Sequence, residues 1–362
     1  MVKNAFELAQ YVRYEDDTET LDIPTNDSFL NQAKLELSLS SLKASSDLTP
    51  KIYEAFKKVA NRLNLDSDLV EIYISSSPNV QAGCLSFNTE GCIITLNSSL
   101  VNLLKINELE FIIGHELGHF LLQHNRKYID GSPESLISQR AMEISVDRIG
   151  LCACKDLHVA IKAIIRLLSG LEEKFLRFDV QSFLEQLNHD SSPDQKTHNL
   201  STHPSLLLRA KSLARFANSK PYQELINNVG GTELRDIDNL IRKDLDFFMD
   251  SHSKNQIKNS KESVEFWVFV YALTKSGNLS KESQQELGNK FGEIKKSKLI
   301  TMLKSTSKEQ AKELILDKLS ESIKYFESLA PNQAKKEINL IINAIEKQSS
   351  QSNLLMEIQR VI

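Results

Sequence analysis

Two histidines four positions apart, with a glutamate directly after the first, are the residues of this chain whose types and spacing carry chemistry: His115-Glu116-Leu117-Gly118-His119. At about 3.6 residues per helical turn, His115 and His119 fall about 40° apart around the axis and about one turn apart along it, so both imidazoles reach a single ion. Glu116 is rotated by roughly 100° from His115 and flanks the ion, where a carboxylate takes a proton from a water. This H-E-x-x-H pattern is that of a zinc site built for hydrolysis. Catalytic zinc takes three protein ligands and keeps one position open, so a further ligand is required.

A third ligand in the longer pattern H-E-x-x-H-x-x-G-x-x-H would need glycine three residues after His119 and histidine three beyond that, and Leu122 and Asn125 stand there instead. His124, five residues from His119, is expected to point elsewhere and to sit near the helix end, where a cation is favoured. The other source is a carboxylate from a later helix. The run Ala141-Met142-Glu143-Ile144-Ser145-Val146-Asp147 sets Glu143 and Asp147 at i and i+4 on one face. One turn apart, they suit a metal ligand and an acceptor for a ligand histidine's N–H. Apolar Ile144, Val146 and Ile149 beside them mark a buried helix.

The elements that must position these groups follow from the surrounding pattern. Ile112, Ile113, Leu117, Phe120 and Leu121 make the H-E-x-x-H segment a buried helix, opened by Asn107 as its cap before Glu108 and Glu110. Gly118 costs that helix about 1 kcal/mol relative to alanine, which implies a close approach to its backbone. A loop at Gly131-Ser132-Pro133 separates the two metal helices, and the second is expected to run to about Cys154. Upstream, Ile52, Phe56, Val59, Ala60 and Leu63 keep a helical period behind Thr49-Pro50. Val70 to Ser75 alternates as a strand, and Cys84 to Phe87 with Cys92 to Leu96 form a hairpin around Asn88-Thr89-Glu90-Gly91.

With these motifs in view, the chain resembles the gluzincin peptidases of the HtpX and CAAX prenyl protease type I group, metallopeptidase family forty-eight. The resemblance runs roughly from Ala82 to Arg209. It rests on Gly114-His115-Glu116-Leu117-Gly118-His119, Glu143-x-x-x-Asp147, and Thr202-His203-Pro204-Ser205 followed by Arg209. It implies one zinc ion held by His115, His119 and Glu143, with Glu116 as general base and later proton donor. Asp147 would orient a ligand histidine, and His203 would donate to the oxyanion with Arg209 supporting it. In gluzincins the strand before the metal helix lies at the sheet edge, where an extended peptide adds as a strand. Ile93, Ile94, Thr95 and Leu96 are therefore the expected substrate strand, with Gln81 and Ala82 beside it. Family members often carry an Asn-Ala pair where this chain has Gln81-Ala82, and the membrane-embedded members have spanning helices that are not found in this sequence.

The whole chain has 362 residues, 41% hydrophobic and 25% charged, with a net charge of −4. That length suits about two domains. The near balance of charge, without a basic patch, argues against a nucleic-acid partner. Met1 to Thr20 lacks the apolar run of a signal peptide, and no stretch reaches the roughly 18 apolar residues of a membrane span. Cys84, Cys92, Cys152 and Cys154 have no C-x-x-C spacing and fit reduced thiols of the cytosol, Cys84 being an ordinary half-buried one.

The expected organisation is α+β: an N-terminal extension over residues 1–47, a gluzincin-type zinc peptidase domain over 48–218 with a small edge-exposed sheet, and an all-helical C-terminal domain over 219–362. The boundary is read at Asn218-Ser219-Lys220-Pro221, reinforced by Gly230-Gly231. Beyond it, Ala311, Ile315, Leu319, Ile323, Phe326 and Leu329 make one helical stripe and Ala334, Ile338, Ile341 and Ile345 another. The segment from Trp267 to Leu287 resembles TerB-like helical domains. Ser276 stands where those have an acid, so their metal binding is not transferred. The activity expected is cytosolic zinc-dependent hydrolysis of protein or peptide substrates, with a possible protein partner on the C-terminal helices. The rival is a stress-linked or chaperone-like scaffold with a structural zinc site.

Overall fold

The computed structural model describes residues 4–17, 27–86, 88–127, 129–189, 201, 203–274, 279–304, 306–348 and 354–359. Thr202, most of the polar stretch expected over 188–202, part of the Asp22 to Asp27 loop and residues 275–278 of the TerB-like segment lie outside the described residues. In chain order the elements are α1 (Ala5–Val12), α2 (Asp27–Ser40), β1 (Leu42–Lys43), α3 (Pro50–Leu63), β2 (Val70–Ser75), β3 (Ala82–Leu85), β4 (Cys92–Asn97), α4 (Ser98–Leu103) and α5 (Ile106–Leu121). There follow α6 (Pro133–Cys154), α7 (Leu157–Ser169), α8 (Val180–His189), α9 (Leu206–Phe216), α10 (Lys220–Leu225) and α11 (Leu234–Leu245). The last elements are α12 (Ser251–Thr274), α13 (Lys281–Phe291), α14 (Glu293–Lys304), α15 (Lys308–Leu329), α16 (Pro331–Gln348) and α17 (Leu354–Gln359). Two compact units result: Met1–Ile129 with Leu136–Ser251, and Asp130–Ser135 with His252–Ile362.

In the first unit a four-stranded sheet runs in the order β1-β2-β4-β3. β2 and β4 are parallel, and the β1–β2 and β3–β4 pairs are antiparallel. This order corrects the expectation that Ile93, Ile94, Thr95 and Leu96 lie on an exposed edge. β4 is paired on both sides, and Ile93, Ile94 and Leu96 are fully buried. Its continuous apolar run is that of an interior strand. The edge beside the metal helix is β3, which carries Ala82.

α5 packs between this sheet and a layer of helices, within one core that also takes Phe56, Val59 and Leu63 of α3 and Ile161 and Ile164 of α7. α3 begins at Pro50 as expected, although the Thr49 hydroxyl does not cap it. α5 begins one residue before Asn107: the Glu108 carboxylate accepts from the Lys105 N–H at 2.8 Å and from Arg166 at 2.9 Å. α5 and α6 meet along a seam of small residues. A Cβ on Gly114 would stand 2.4 Å from the Ala153 Cβ, one on Gly118 2.9 Å from the Val146 Cβ, and one on Gly150 2.9 Å from the Phe111 carbonyl oxygen. The close approach implied by Gly118 is thus made by Val146, one turn from Glu143.

Two boundary expectations change. α1 is part of the core itself: Ala5, Leu8, Ala9 and Val12 are buried, and Phe6 packs edge-on against Phe120 at 5.6 Å. Residues 219–251 pack with the first unit, so the break in packing falls after Ser251. Asp244 pairs with Lys211 at 3.0 Å and Arg215 at 2.8 Å, and Ile237, Ile241 and Leu245 pack on Tyr14, Ala141 and Ile144. The polar and glycine-rich stretch read as a linker is a clasp, in which Lys220 N–H donates to the Thr232 carbonyl and Thr232 N–H to that of Asn218, each at 2.8 Å.

The second unit is helical among its described residues and has its own core. The stripes of α15 and α16 face inward through Ile315, Leu319, Ile323 and Phe326 and through Ala334, Ile338 and Ile345, in one core with Val268, Phe269 and Val270 of α12. Among the described residues, no helix is long and apolar enough to cross a membrane.

Candidate metal centre

α5 contributes His115, Glu116 and His119, and α6, lying against it along the glycine seam, contributes Glu143 and Asp147. Among the described residues, His115, His119 and Glu143 form the group of such side chains able to hold one metal ion, with ligating atoms within 4.8 Å of one another. The His115 Nε2 lies 3.6 Å from the Glu143 Oε2, and the His119 Nε2 lies 3.6 Å from the Glu143 Oε1. Those separations are too long for direct hydrogen bonds. Atoms placed tetrahedrally about 2.0–2.1 Å from zinc stand roughly 3.4 Å apart, so the spacing suits one shared ion. The Glu143 Oε2 is buried and accepts no hydrogen bond, and the Arg209 Nη1 stands 3.1 Å from it as an ion pair. A buried carboxylate oxygen in that state is one that a cation satisfies. The residues therefore fit a divalent metal.

Asp147 and Arg209 lie behind His115 and Glu143. The His115 Nδ1 sits 3.0 Å from the Asp147 Oδ1, which leaves Nε2 facing Glu143. Arg209 of α9 grips both Asp147 oxygens, Nε to Oδ2 at 2.8 Å and Nη2 to Oδ1 at 2.7 Å. Burial opposes the charge on Asp147, but Arg209 and His115 outweigh it and hold the carboxyl down at about 2. Arg209 is thus placed against Asp147 and Glu143.

Glu116 is buried beside the ligands. Burial pushes its carboxyl up to about 7, with His115 and Arg209 pulling against it and the Glu143 charge adding to it. A base near neutrality is the kind that proton transfer at ordinary pH requires. His203, in the segment leading to α9, is exposed at its side chain by 59% and places Nε2 3.4 Å from the Glu143 Oε1. That segment is anchored by Arg140, one turn before Glu143 on α6. The Arg140 Nη1 donates to the Ser201 carbonyl at 2.7 Å, its Nε pairs with Asp250 at 2.7 Å, and the Ser201 hydroxyl donates to the His203 carbonyl at 2.7 Å. Sequence reasoning missed Arg140. Its signal was a charge one turn before Glu143 on a helix that Ile144, Val146 and Ile149 mark as buried.

His124 does not point away from the site. α5 ends at Leu121, and Gln123 takes a left-handed conformation at φ 55°, held by its side-chain amide on the Phe120 carbonyl at 2.7 Å. The reversal brings the His124 Nδ1 within 3.1 Å of the His119 Nδ1, and its Nε2 lies 3.0 Å from the Asp17 Oδ2. Burial opposes the charge on Asp17, but His124 and Lys127 hold its carboxyl well below the usual range.

A cleft of about 350 Å³ opens onto His115, Glu116, His119, Glu143 and His203, and Gln81 with Ala82, Gly83 and Cys84 of β3 forms one wall. In an antiparallel ladder, bonded and non-bonded pairs alternate. Asn97 N–H donates to the Gln81 carbonyl at 3.0 Å, so Ala82 and Cys84 turn their backbone groups outward along the cleft. The Cys84 carbonyl already accepts from the Asn125 amide at 3.0 Å. The Cys84 thiol is pushed well above its ordinary value by the hydrogen bond with Cys92 and by burial, which keeps it protonated.

Residues 46–132 match Peptidase family M48, a stretch that holds His115, Glu116 and His119 and stops before Glu143. Over that stretch the resemblance read from the H-E-x-x-H motif is borne out. The chain is also similar to the plastoglobule-localized metallopeptidase 48, chloroplastic, of Arabidopsis thaliana, being 26% identical over 219 residues. The alignment takes in 52% of this chain and 62% of the relative, so the chain spans under two thirds of that protein. No solved structure matches.

Proposed function

We propose that the chain is a zinc-dependent endopeptidase acting on protein or peptide substrates. The observation that carries this reading is the convergence of His115, His119 and Glu143 around one point, with the buried Glu143 Oε2 lacking a hydrogen bond. Bound there, zinc would supply Lewis acidity, lowering the pKa of a water towards about 7 and polarising a carbonyl. Glu116 takes the proton of the attacking water and returns it to the leaving amine. His203, exposed at the cleft mouth, donates to the oxyanion that develops on the scissile carbonyl. Arg209 serves that step indirectly, through its hold on Asp147 and its reach to Glu143. An extended substrate pairs with the outward N–H and C=O of Ala82 and the N–H of Cys84, as strand addition to a sheet edge. The four cysteines are free, which suits a reducing compartment such as the cytosol.

The test is digestion of unfolded casein by the purified chain. Cleavage is expected to stop when a chelator strips the metal and to return with zinc; cleavage that persists in metal-free protein would overturn the proposal.

A further inference from the structure

A ligand imidazole that presents Nε2 to an ion carries its proton on Nδ1, and a partner on that nitrogen fixes the ring. Asp147 is that partner for His115. His119 has a longer tether. With its Nε2 facing Glu143, the proton of His119 sits on Nδ1, and the acceptor 3.1 Å away is the His124 Nδ1. His124 then holds its own proton on Nε2 and gives it to the Asp17 Oδ2 at 3.0 Å. Each donor meets one acceptor in this order. The reverse order would put a proton on the His119 nitrogen that faces the ligand carboxylate.

Asp17 is fully buried and its second oxygen pairs with Lys127. What brings it there is a strap, residues 12–17, clamped to the helix that supplies the third ligand. The Arg148 Nη1 donates to the Val12 carbonyl at 3.1 Å, and Tyr14 N–H donates at 3.1 Å to the hydroxyl of Ser145, which stands between Glu143 and Asp147. Glu15 N–H is held by Asp238 at 3.1 Å, and Arg242 grips the Asp16 carboxylate. The strap lies outside the stretch that matches the peptidase family.

We propose that Asp17 and His124 are positioning residues of the metal centre, a relay from His119 through His124 to Asp17 by which the N-terminal strap fixes the second ligand imidazole. This rests on the zinc-site reading above. The experiment uses the full chain and two readouts other than turnover: zinc affinity by competition with a chromophoric chelator, and the visible spectrum of the cobalt(II)-substituted protein. Asp17→Leu and His124→Phe are each expected to weaken zinc binding by roughly 10- to 100-fold and to shift the cobalt bands. Asp17→Asn, which keeps an acceptor oxygen, falls between these and the wild type and supplies the same readout should Asp17→Leu not fold. Because Asp17 acts through His124, the double variant Asp17→Leu with His124→Phe binds zinc no more weakly than His124→Phe alone. Losses that multiply in the double variant, or an unchanged affinity and spectrum in the single variants, overturn the relay. A wild-type chain that binds no zinc overturns the metal-site reading instead.

Discussion

The seam between the two metal helices makes a quantitative prediction at Gly114. An alanine inside a helix is worth about 1 kcal/mol over glycine, so Gly114→Ala would stabilise α5 if nothing stood opposite. Here the new Cβ would lie 2.4 Å from the Ala153 Cβ and 3.1 Å from the Gly150 Cα. Apolar carbons prefer about 3.5–4.0 Å, so α6 must back away by roughly 1 Å. Overpacking of this kind costs about 1–3 kcal/mol, which leaves a net loss of about 0–2 kcal/mol after the propensity gain. α6 also carries Glu143, so its displacement opens the ligand triangle and weakens zinc binding. The compensating change is Ala153→Gly, which removes the closest contact. Alone it costs about 1 kcal/mol of helix propensity, but combined with Gly114→Ala it is expected to restore zinc affinity, with a favourable coupling of about 1 kcal/mol or more. Urea denaturation of the four metal-free proteins, together with chelator competition, reads both quantities. A Gly114→Ala protein as stable as the wild type with undiminished zinc affinity would refute the reasoning, as would a double variant that recovers neither.

Three further outcomes are expected. Glu143→Ala removes the one carboxylate of the ligand set and should leave the purified protein without stoichiometric zinc, measured by metal analysis. Ala82→Pro deletes an outward N–H that the β-ladder does not use, so zinc content should stay while kcat/KM falls by about 2- to 10-fold, the worth of one hydrogen bond. Asp147, held at about 2 against an ordinary 3.8, stabilises the fold fully above its ordinary value and loses that contribution as pH falls towards 2. Acid titration of the metal-free protein should show that loss as a limb that Asp147→Asn lacks.

The grouping of His115, His119 and Glu143 was legible because its information is local. His115 and His119, and Glu143 and Asp147, are each one helical turn apart, and the buried residues around them set the helices from period alone. β2 and the C-terminal end of α6 fall where the pattern puts them. What the sequence left open is pairing and reversal. A hairpin reading gives β3 beside β4 but not the parallel β2 on the other side, so Ile93 to Leu96 read as an edge when they are interior. A single left-handed Gln123 turns His124 back onto His119, a conformation that glutamine does not advertise. The strap reaches His124 across 107 positions, and no periodicity spans that distance. Turn chemistry at Asn218 to Pro221 likewise marks a clasp as readily as a linker.

The central claim is that Glu116 moves the proton at a metal held by its neighbours, and Glu116→Gln tests it directly because the substitution keeps the shape and removes the base. Peptide release from unfolded casein should be measured for zinc-loaded wild type and zinc-loaded Glu116→Gln side by side. The account predicts one zinc per chain in both and turnover in the wild type alone; turnover retained by zinc-loaded Glu116→Gln would contradict it.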